Sequence, residues 1–157
     1  MSEPPTPPTP PLPALAFADL TGDDPRWSSA FPVLVQLRTH LDRPAFDAIR
    51  VAAGPQGLTF TAALIDDRCV GLAGWRVVDT THVARKLYVD DLVTDAAHRS
   101  RGIGAALLDH LEVRGAALGC RFLELDSGVQ REGAHRFYRR VGMRDDSLHF
   151  RRPIPAA

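Results

Sequence analysis

The chain has 157 residues, 45% hydrophobic and 24% charged, which suits one domain with a hydrophobic core. Its 19 Lys and Arg balance 19 Asp and Glu, so no global field favours nucleic acid or an anionic membrane surface. Its apolar runs fall far short of the roughly 20 residues that span a bilayer, and the chain does not open on a secretion signal, so a cytoplasmic location is expected.

The first thirteen residues carry seven prolines and cannot form a helix or an interior strand. Residues 1–14 therefore read as a disordered or polyproline II arm, and 15–157 as a single domain. Apolar residues Phe31, Val33, Leu34, Val35, Leu37 and Leu41 predict an amphipathic helix over 27–41, with Pro32 near its first turn. A second helix follows, with Asp42 as N-cap and Pro44 in the first turn; Phe46, Ile49 and Val51 are expected to face the core before Gly54 ends it. Three apolar, β-branched runs at 58–65, 69–78 and 83–94 read as antiparallel strands, the Asp66-Asp67-Arg68 break being short enough for a hairpin. A helix is expected over 102–118, with Ile103, Leu107, Leu111 and Leu118 on one stripe and Gly119 as its stop. A strand at 121–126, a helix at 132–141 and a last strand at 143–151 complete the order α-α-β-β-β-α-β-α-β. That order implies a mixed sheet with helices on both faces. Cys69 and Cys120 are isolated, so they read as small reduced core residues, and the six histidines show no metal-ligand spacing.

Residues 87–106, LYVDDLVTDAAHRSRGIGAA, combine a strand, a basic loop, two glycines and the start of a helix. Amides at a helix N-terminus have no partner within the helix and sit at the positive end of its dipole, so the pattern suits an anion. Gly102 and Gly104 allow close backbone approach, and Arg99 and Arg101 add positive charge. A Rossmann loop would need a third glycine where Leu107 stands, and a Walker A loop needs Gly-Lys-Ser/Thr, so both are excluded. Thirty residues on, Ala134-His-Arg-Phe137-Tyr138-Arg-Arg-Val-Gly142-Met143 supplies a short helix carrying a tyrosine and a glycine after it.

Together these segments resemble the GNAT N-acetyltransferases, whose Arg/Gln-x-x-Gly-x-Gly/Ala loop and Ala-x-x-Phe-Tyr-x-x-x-Gly-Phe helix come in this order and at about this spacing. The resemblance covers roughly 58–150. It implies an α+β fold built on a mixed, mostly antiparallel sheet in which two parallel strands, 87–94 and 121–126, splay apart to admit acetyl-CoA. Leu92, Val93 and Thr94 then offer backbone contacts to the pantetheine arm. Arg99, Ser100, Arg101, Gly102, Ile103, Gly104 and Ala105 form the pyrophosphate turn. Arg131 stands where many members carry asparagine and is a further cofactor contact. Family precedent also implies a homodimer.

Acyl transfer to an amine needs a base, an oxyanion donor and a proton for the departing thiolate. The resemblance assigns the oxyanion donor to the backbone N–H of Val93, and Tyr138 is a phenol that can supply the proton. The base stays open among Asp90, Asp91, Glu124 and Asp126; strand alternation sends Asp90 and Asp91 to opposite faces. These acids favour a small cationic amine as acceptor, with Trp75 and Tyr88 as candidate pocket walls and Asp126 as a substrate contact. A protein lysine or N-terminal acetyltransferase and a non-catalytic acyl-CoA-binding sensor are the competing readings.

Overall fold

The computed structural model describes residues 13–156, so most of the expected proline-rich arm lies outside the described residues. Four antiparallel strands and one parallel strand form a sheet in the order β1-β2-β3-β4-β5. They are β1 (Ala16–Asp19), β2 (Thr59–Ile65), β3 (Arg68–Thr80), β4 (Ala84–Thr94) and β5 (Phe122–Leu125). The helices are α1 (Trp27–Leu37), α2 (Arg43–Ala53), α3 (Ile103–Ala117) and α4 (Glu132–Arg140). The fold class is mixed α+β, as expected.

Local chemistry explains most boundaries. Asp66 and Asp67 both take left-handed φ, 48° and 61°, which is the two-residue turn whose twist matches a β2–β3 hairpin. Asp42 caps α2 by accepting from the Ala45 amide at 2.8 Å. Gly119, with φ +76°, lets the chain leave α3 in a left-handed turn.

The sheet separates two cores. On one face α1 and α2 bury Trp27, Leu34 and Phe46 against Phe60, Ala62 and Leu72; Trp27 meets Phe46 and Phe60 edge to face. On the other face α3 buries Ile103, Leu107 and Leu111 against Ala73, Trp75, Leu87 and Val89.

Several expectations are corrected. β1 is absent from the expected order, and 143–151 forms no strand: that segment joins no ladder among the described residues, and Leu148 and Phe150 stand exposed. The first helix ends at Leu37 rather than Leu41. Ile49, Val51 and Leu118 are exposed rather than core. In α2 the buried stripe runs through Phe46 and Ala53, and the Arg50 guanidinium covers the Trp27 and Phe46 rings where a wider apolar face was expected. Cys69 and Cys120 are both free; burial pushes the Cys69 thiol up to about 12, so it is an inert core residue.

Candidate active site

The start of α3 has unmet backbone donors. Its first intrahelical bond runs from the Ala106 amide to the Gly102 carbonyl at 3.0 Å, which leaves the amides of Ile103, Gly104 and Ala105 without helical partners. No side chain caps them, and the first turn carries no acidic residue. Gly102 adopts φ +82°, a conformation that disfavours any residue with a Cβ, and the space where a Cβ would stand is open. Gly104 is small for another reason: a Cβ there would come within 3.2 Å of the Phe137 ring, so the glycine of the first motif receives the phenylalanine of the second. Ile103 buries its side chain completely beside Gly71, leaving its amide as its contribution to the turn. Arg99 and Arg101 enter no ion pair among the described residues, and the buried Arg101 Nε has no hydrogen-bond partner. The loop leading in is anchored to α1, where Gln36 donates to Asp95 and accepts from the Ala96 amide, both at 2.8 Å. The bonds from Gln36 and His98 hold the Asp95 carboxyl below its usual range. An exposed basic turn with free amides fits a pyrophosphate.

Beside this turn the sheet opens. β4 and β5 pair in parallel from Lys86↔Phe122 to Val89↔Leu125, and the ladder then stops while β4 continues to Thr94. A bulge precedes the gap, since Gly74 faces Asp91 but Trp75 faces Val89, leaving Asp90 as the extra residue. Past the bulge, the Asp95 amide donates to Val70 on β3 at 2.9 Å. By the two-residue alternation of an antiparallel ladder, the Val93 N–H also points to β3, and the amides of Leu92 and Thr94 point to the open side. The Val93 amide, the expected oxyanion donor, is thus directed at β3, and it is the Leu92 amide that faces the gap. A cavity of about 120 Å³ lies in the gap, walled by Val89, Asp90 and Leu92 of β4, by Leu125 to Gly128, by Leu37 at the end of α1 and Arg38 after it, and by Arg131 just before α4 with Ala134 and Tyr138 on it. A larger, more open hollow of about 460 Å³ between α1 and the β2–β3 turn includes neither α3 nor β5.

The bulge also changes the carboxylates. Asp90 takes two bonds from Arg76, at 2.8 and 3.1 Å, and Arg76 also donates to Gln56 just after α2. Asp91 takes a 2.6 Å bond from Arg38, the residue after α1, which also donates to the Asp90 carbonyl. Both acids thus face the α1–α2 layer, contrary to the alternation expected from sequence. Asp91 is absent from the cavity wall, and burial pushes its carboxyl up against the opposing pull of Arg38. Arg38→Met leaves that carboxylate buried and unpaired. We expect a loss of about 2 kcal/mol in urea denaturation at pH 7, below the value for a fully buried pair because Arg38 is partly exposed. Glu124 is bound to Lys86 away from the cavity. Asp126 is half-exposed on the cavity wall, accepts from the Tyr88 hydroxyl and lies 3.2 Å from His149 Nδ1. Burial and Asp126 push the Tyr88 phenol well above its ordinary range, so it stays a donor.

Trp75 is no pocket wall. It is 4% exposed on the α3 face, donates to Thr61 Oγ1 at 2.9 Å and lies under the Arg114 guanidinium. Tyr138 does reach the cavity; burial pushes its phenol up, partly offset by Arg131. Sequence reasoning missed Arg38, Arg76 and Ser127, which belong to this neighbourhood. Among the described residues no cluster of three or more His, Cys, Asp or Glu is placed to hold a metal, and no helix is long and apolar enough to cross a membrane.

Comparison with known proteins agrees with this geometry. The acetyltransferase (GNAT) family model matches residues 24–143. An uncharacterized N-acetyltransferase of Bacillus subtilis, YhdJ, is 33% identical over 130 residues, covering 82% of this chain and 92% of that protein. Among solved structures, the aminoglycoside acetyltransferase meta-AAC0020 from an uncultured soil metagenomic sample, in complex with sisomicin, superposes with TM-score 0.76 at 16% identity, covering 90% of this chain and 97% of that one. The aminoglycoside N-acetyltransferase AAC(6')-Iy in complex with CoA gives TM-score 0.74 at 15% identity, with 92% and 98% covered. The free-amide turn, the splayed strands and the family match lead to one conclusion: this chain belongs to the GNAT family and is an N-acetyltransferase.

Proposed function

We propose that the protein transfers an acetyl group from acetyl-CoA to the primary amine of a small, cationic molecule, by direct transfer. The observation that carries the reading is the juxtaposition of the uncapped α3 turn with a narrow cavity that holds Asp90, Asp126 and Tyr138. When bound, acetyl-CoA supplies an activated acyl thioester. The amides of Ile103, Gly104 and Ala105, with Arg99, Ser100 and Arg101 around them, hold its pyrophosphate. The amides of Leu92 and Thr94 bind the pantetheine arm as an added strand would, and the Leu92 N–H stabilises charge developing on the acyl oxygen.

An alkylammonium with pKa near 10.4 is neutral in only on the order of one molecule in a thousand at pH 7, so a proton must leave before attack. Asp126, half-exposed on the cavity wall, draws the cation in and accepts that proton through water, while Asp90 has its charge offset by the paired Arg76. Tyr138 gives its proton to the departing thiolate. The shared fold of aminoglycoside acetyltransferases supports a polycationic acceptor. The exposed Leu148 and Phe150 beyond α4, with the open edge of β5, support assembly as a homodimer.

Purified protein incubated with acetyl-CoA and a panel of aminoglycosides, polyamines and lysine-bearing or free-N-terminus peptides should release free thiol fastest with the small polycations. Release only with peptides would make it a protein acetyltransferase, and thioester binding without amine-stimulated release would make it a sensor. Asp126→Asn keeps the Tyr88 bond but removes a charge. We expect kcat to fall about a hundredfold as the base is lost, and KM for a cationic acceptor to rise about tenfold, near 1.4 kcal/mol, and to lose much of its salt dependence, with CoA affinity unchanged.

A further inference from the structure

At the bulge, β4 is held by a side chain from outside the sheet. The extra residue there is Asp90, and the register resumes with Asp91 opposite Gly74 and Leu92 opposite Ala73. Arg38 donates from Nε to Asp91 Oδ1 at 2.6 Å and from Nη2 to the Asp90 carbonyl at 2.9 Å. One planar guanidinium thus holds both the carbonyl that precedes the Asp91 Cα and the side chain that leaves it. The arginine is itself fixed: its amide donates to the Leu34 carbonyl and its carbonyl accepts from the Leu41 amide, both at 3.0 Å, and Leu34 is buried in the α1 core. Gly74 leaves the carboxylate its place, because a Cβ there would come within 2.9 Å of Asp91 Oδ2. A peptide unit is planar, so the direction of the Leu92 N–H follows from how Asp91 is turned about its Cα. Holding Asp91 on two sides therefore fixes the aim of the amide that faces the gap.

We infer that Arg38 is a positioning residue for acyl transfer: from the α1–α2 layer it sets the aim of the Leu92 N–H at the acyl oxygen, with Asp91 as its anchor on β4. Arg38 also stands on the cavity wall with its side chain 39% exposed, so direct contact with the amine is the competing role. The two separate by what they move. A donor displaced by about 1 Å costs on the order of a hundredfold in rate, whereas a lost acceptor contact appears in KM. The inference rests on the acetyl-CoA reading proposed above, and nothing in the two sequence motifs points to it.

Arg38→Lys keeps the charge but gives up the planar pair of donors. With the fastest amine of the panel above, it should lower kcat about twentyfold, while KM for the amine and the calorimetric affinity for CoA each stay within about twofold. Infrared difference spectra add a readout independent of turnover. The thioester carbonyl band of isotope-labelled acetyl-CoA should move to lower wavenumber on binding wild type and lose most of that shift in Arg38→Lys. Asp91→Ala removes the other half of the clamp and should reduce kcat and the band shift to a similar extent, with the double variant no worse than either single one. Arg114→Lys, which disturbs the ion pair with Asp19 at the β1 edge, controls for general loosening: it should lower the melting temperature and leave kcat unchanged. Undiminished kcat in Arg38→Lys, a lowered kcat with the band unmoved, a change confined to KM for the amine, or additive losses in the double variant would each overturn the inference, as would an equal kcat loss in Arg114→Lys. Failure of the wild type to bind acetyl-CoA would instead remove the acetyl-CoA reading, and this inference with it.

Discussion

Gly102→Val is expected to weaken CoA binding about 30-fold or more, near 2 kcal/mol, while Gly119→Val leaves it unchanged. The two positions make a matched pair. Their φ values are +82° and +76°, and an added Cβ meets nothing within 4 Å at either. Left-handed backbone costs an ordinary L-residue about 1–2 kcal/mol, and a β-branched one more, so both variants should lose similar stability in thermal melts. They differ in place. Gly102 opens α3, where the amides of Ile103, Gly104 and Ala105 are free; Gly119 follows its other end. Restoring a comfortable φ at residue 102 must re-aim those amides, and the valine side chain enters the space an anion would fill. Equal CoA affinity in the two variants, measured by calorimetry, would mean that no phosphate is held at this turn.

The parts of this site that could be read in advance are those written in consecutive residues. The α3 turn depends on glycines and arginines within 99–105, the hairpin on Asp66 and Asp67, and the α2 start on Asp42 and Pro44. Each is a local solution to a local backbone demand, so spacing reveals it. What escaped is set by partners distant in sequence. The bulge at Asp90 exists only because β3 and β4 change register between Gly74 and Trp75, and that change swings Asp90 and Asp91 to one face and selects Leu92 over Val93 as the open-side amide. Residues 143–151 alternate in a strand-like way around Leu148 and Phe150, but alternation does not supply the ladder partner a strand requires. β1, conversely, has only four residues, too few for a periodic signal, and forms because β2 offers it an edge. The hold of Arg38 on β4 could not be found from sequence, because its two partners lie 52 and 53 residues further on.

Tyr138→Phe should lower kcat about a hundredfold and change CoA affinity by about fivefold at most. The substitution removes one oxygen from a side chain on the cavity wall, so packing of α4, including the Phe137 ring against Gly104, is retained. A general acid missing from thiolate departure typically costs two to four orders of magnitude in rate, whereas a lost neutral hydrogen bond to a bound ligand costs roughly 1 kcal/mol or less. The two roles therefore separate in the ratio of kcat to binding. The pH profile adds an independent check. Burial pushes the Tyr138 phenol above its usual value of 10, with Arg131 pulling only partly the other way. The proton-donating form is the protonated one, so raising that pKa extends the active range upward: with an acceptor already neutral, the wild-type rate should hold through pH 10 and decline only above it. Arg131→Gln removes the opposing cation and should move that alkaline limb higher still, while Tyr138→Phe should abolish it. Parallel losses of rate and CoA affinity in Tyr138→Phe, with the alkaline limb unmoved, would assign the phenol to holding the cofactor and leave the departing sulfur to take its proton from water.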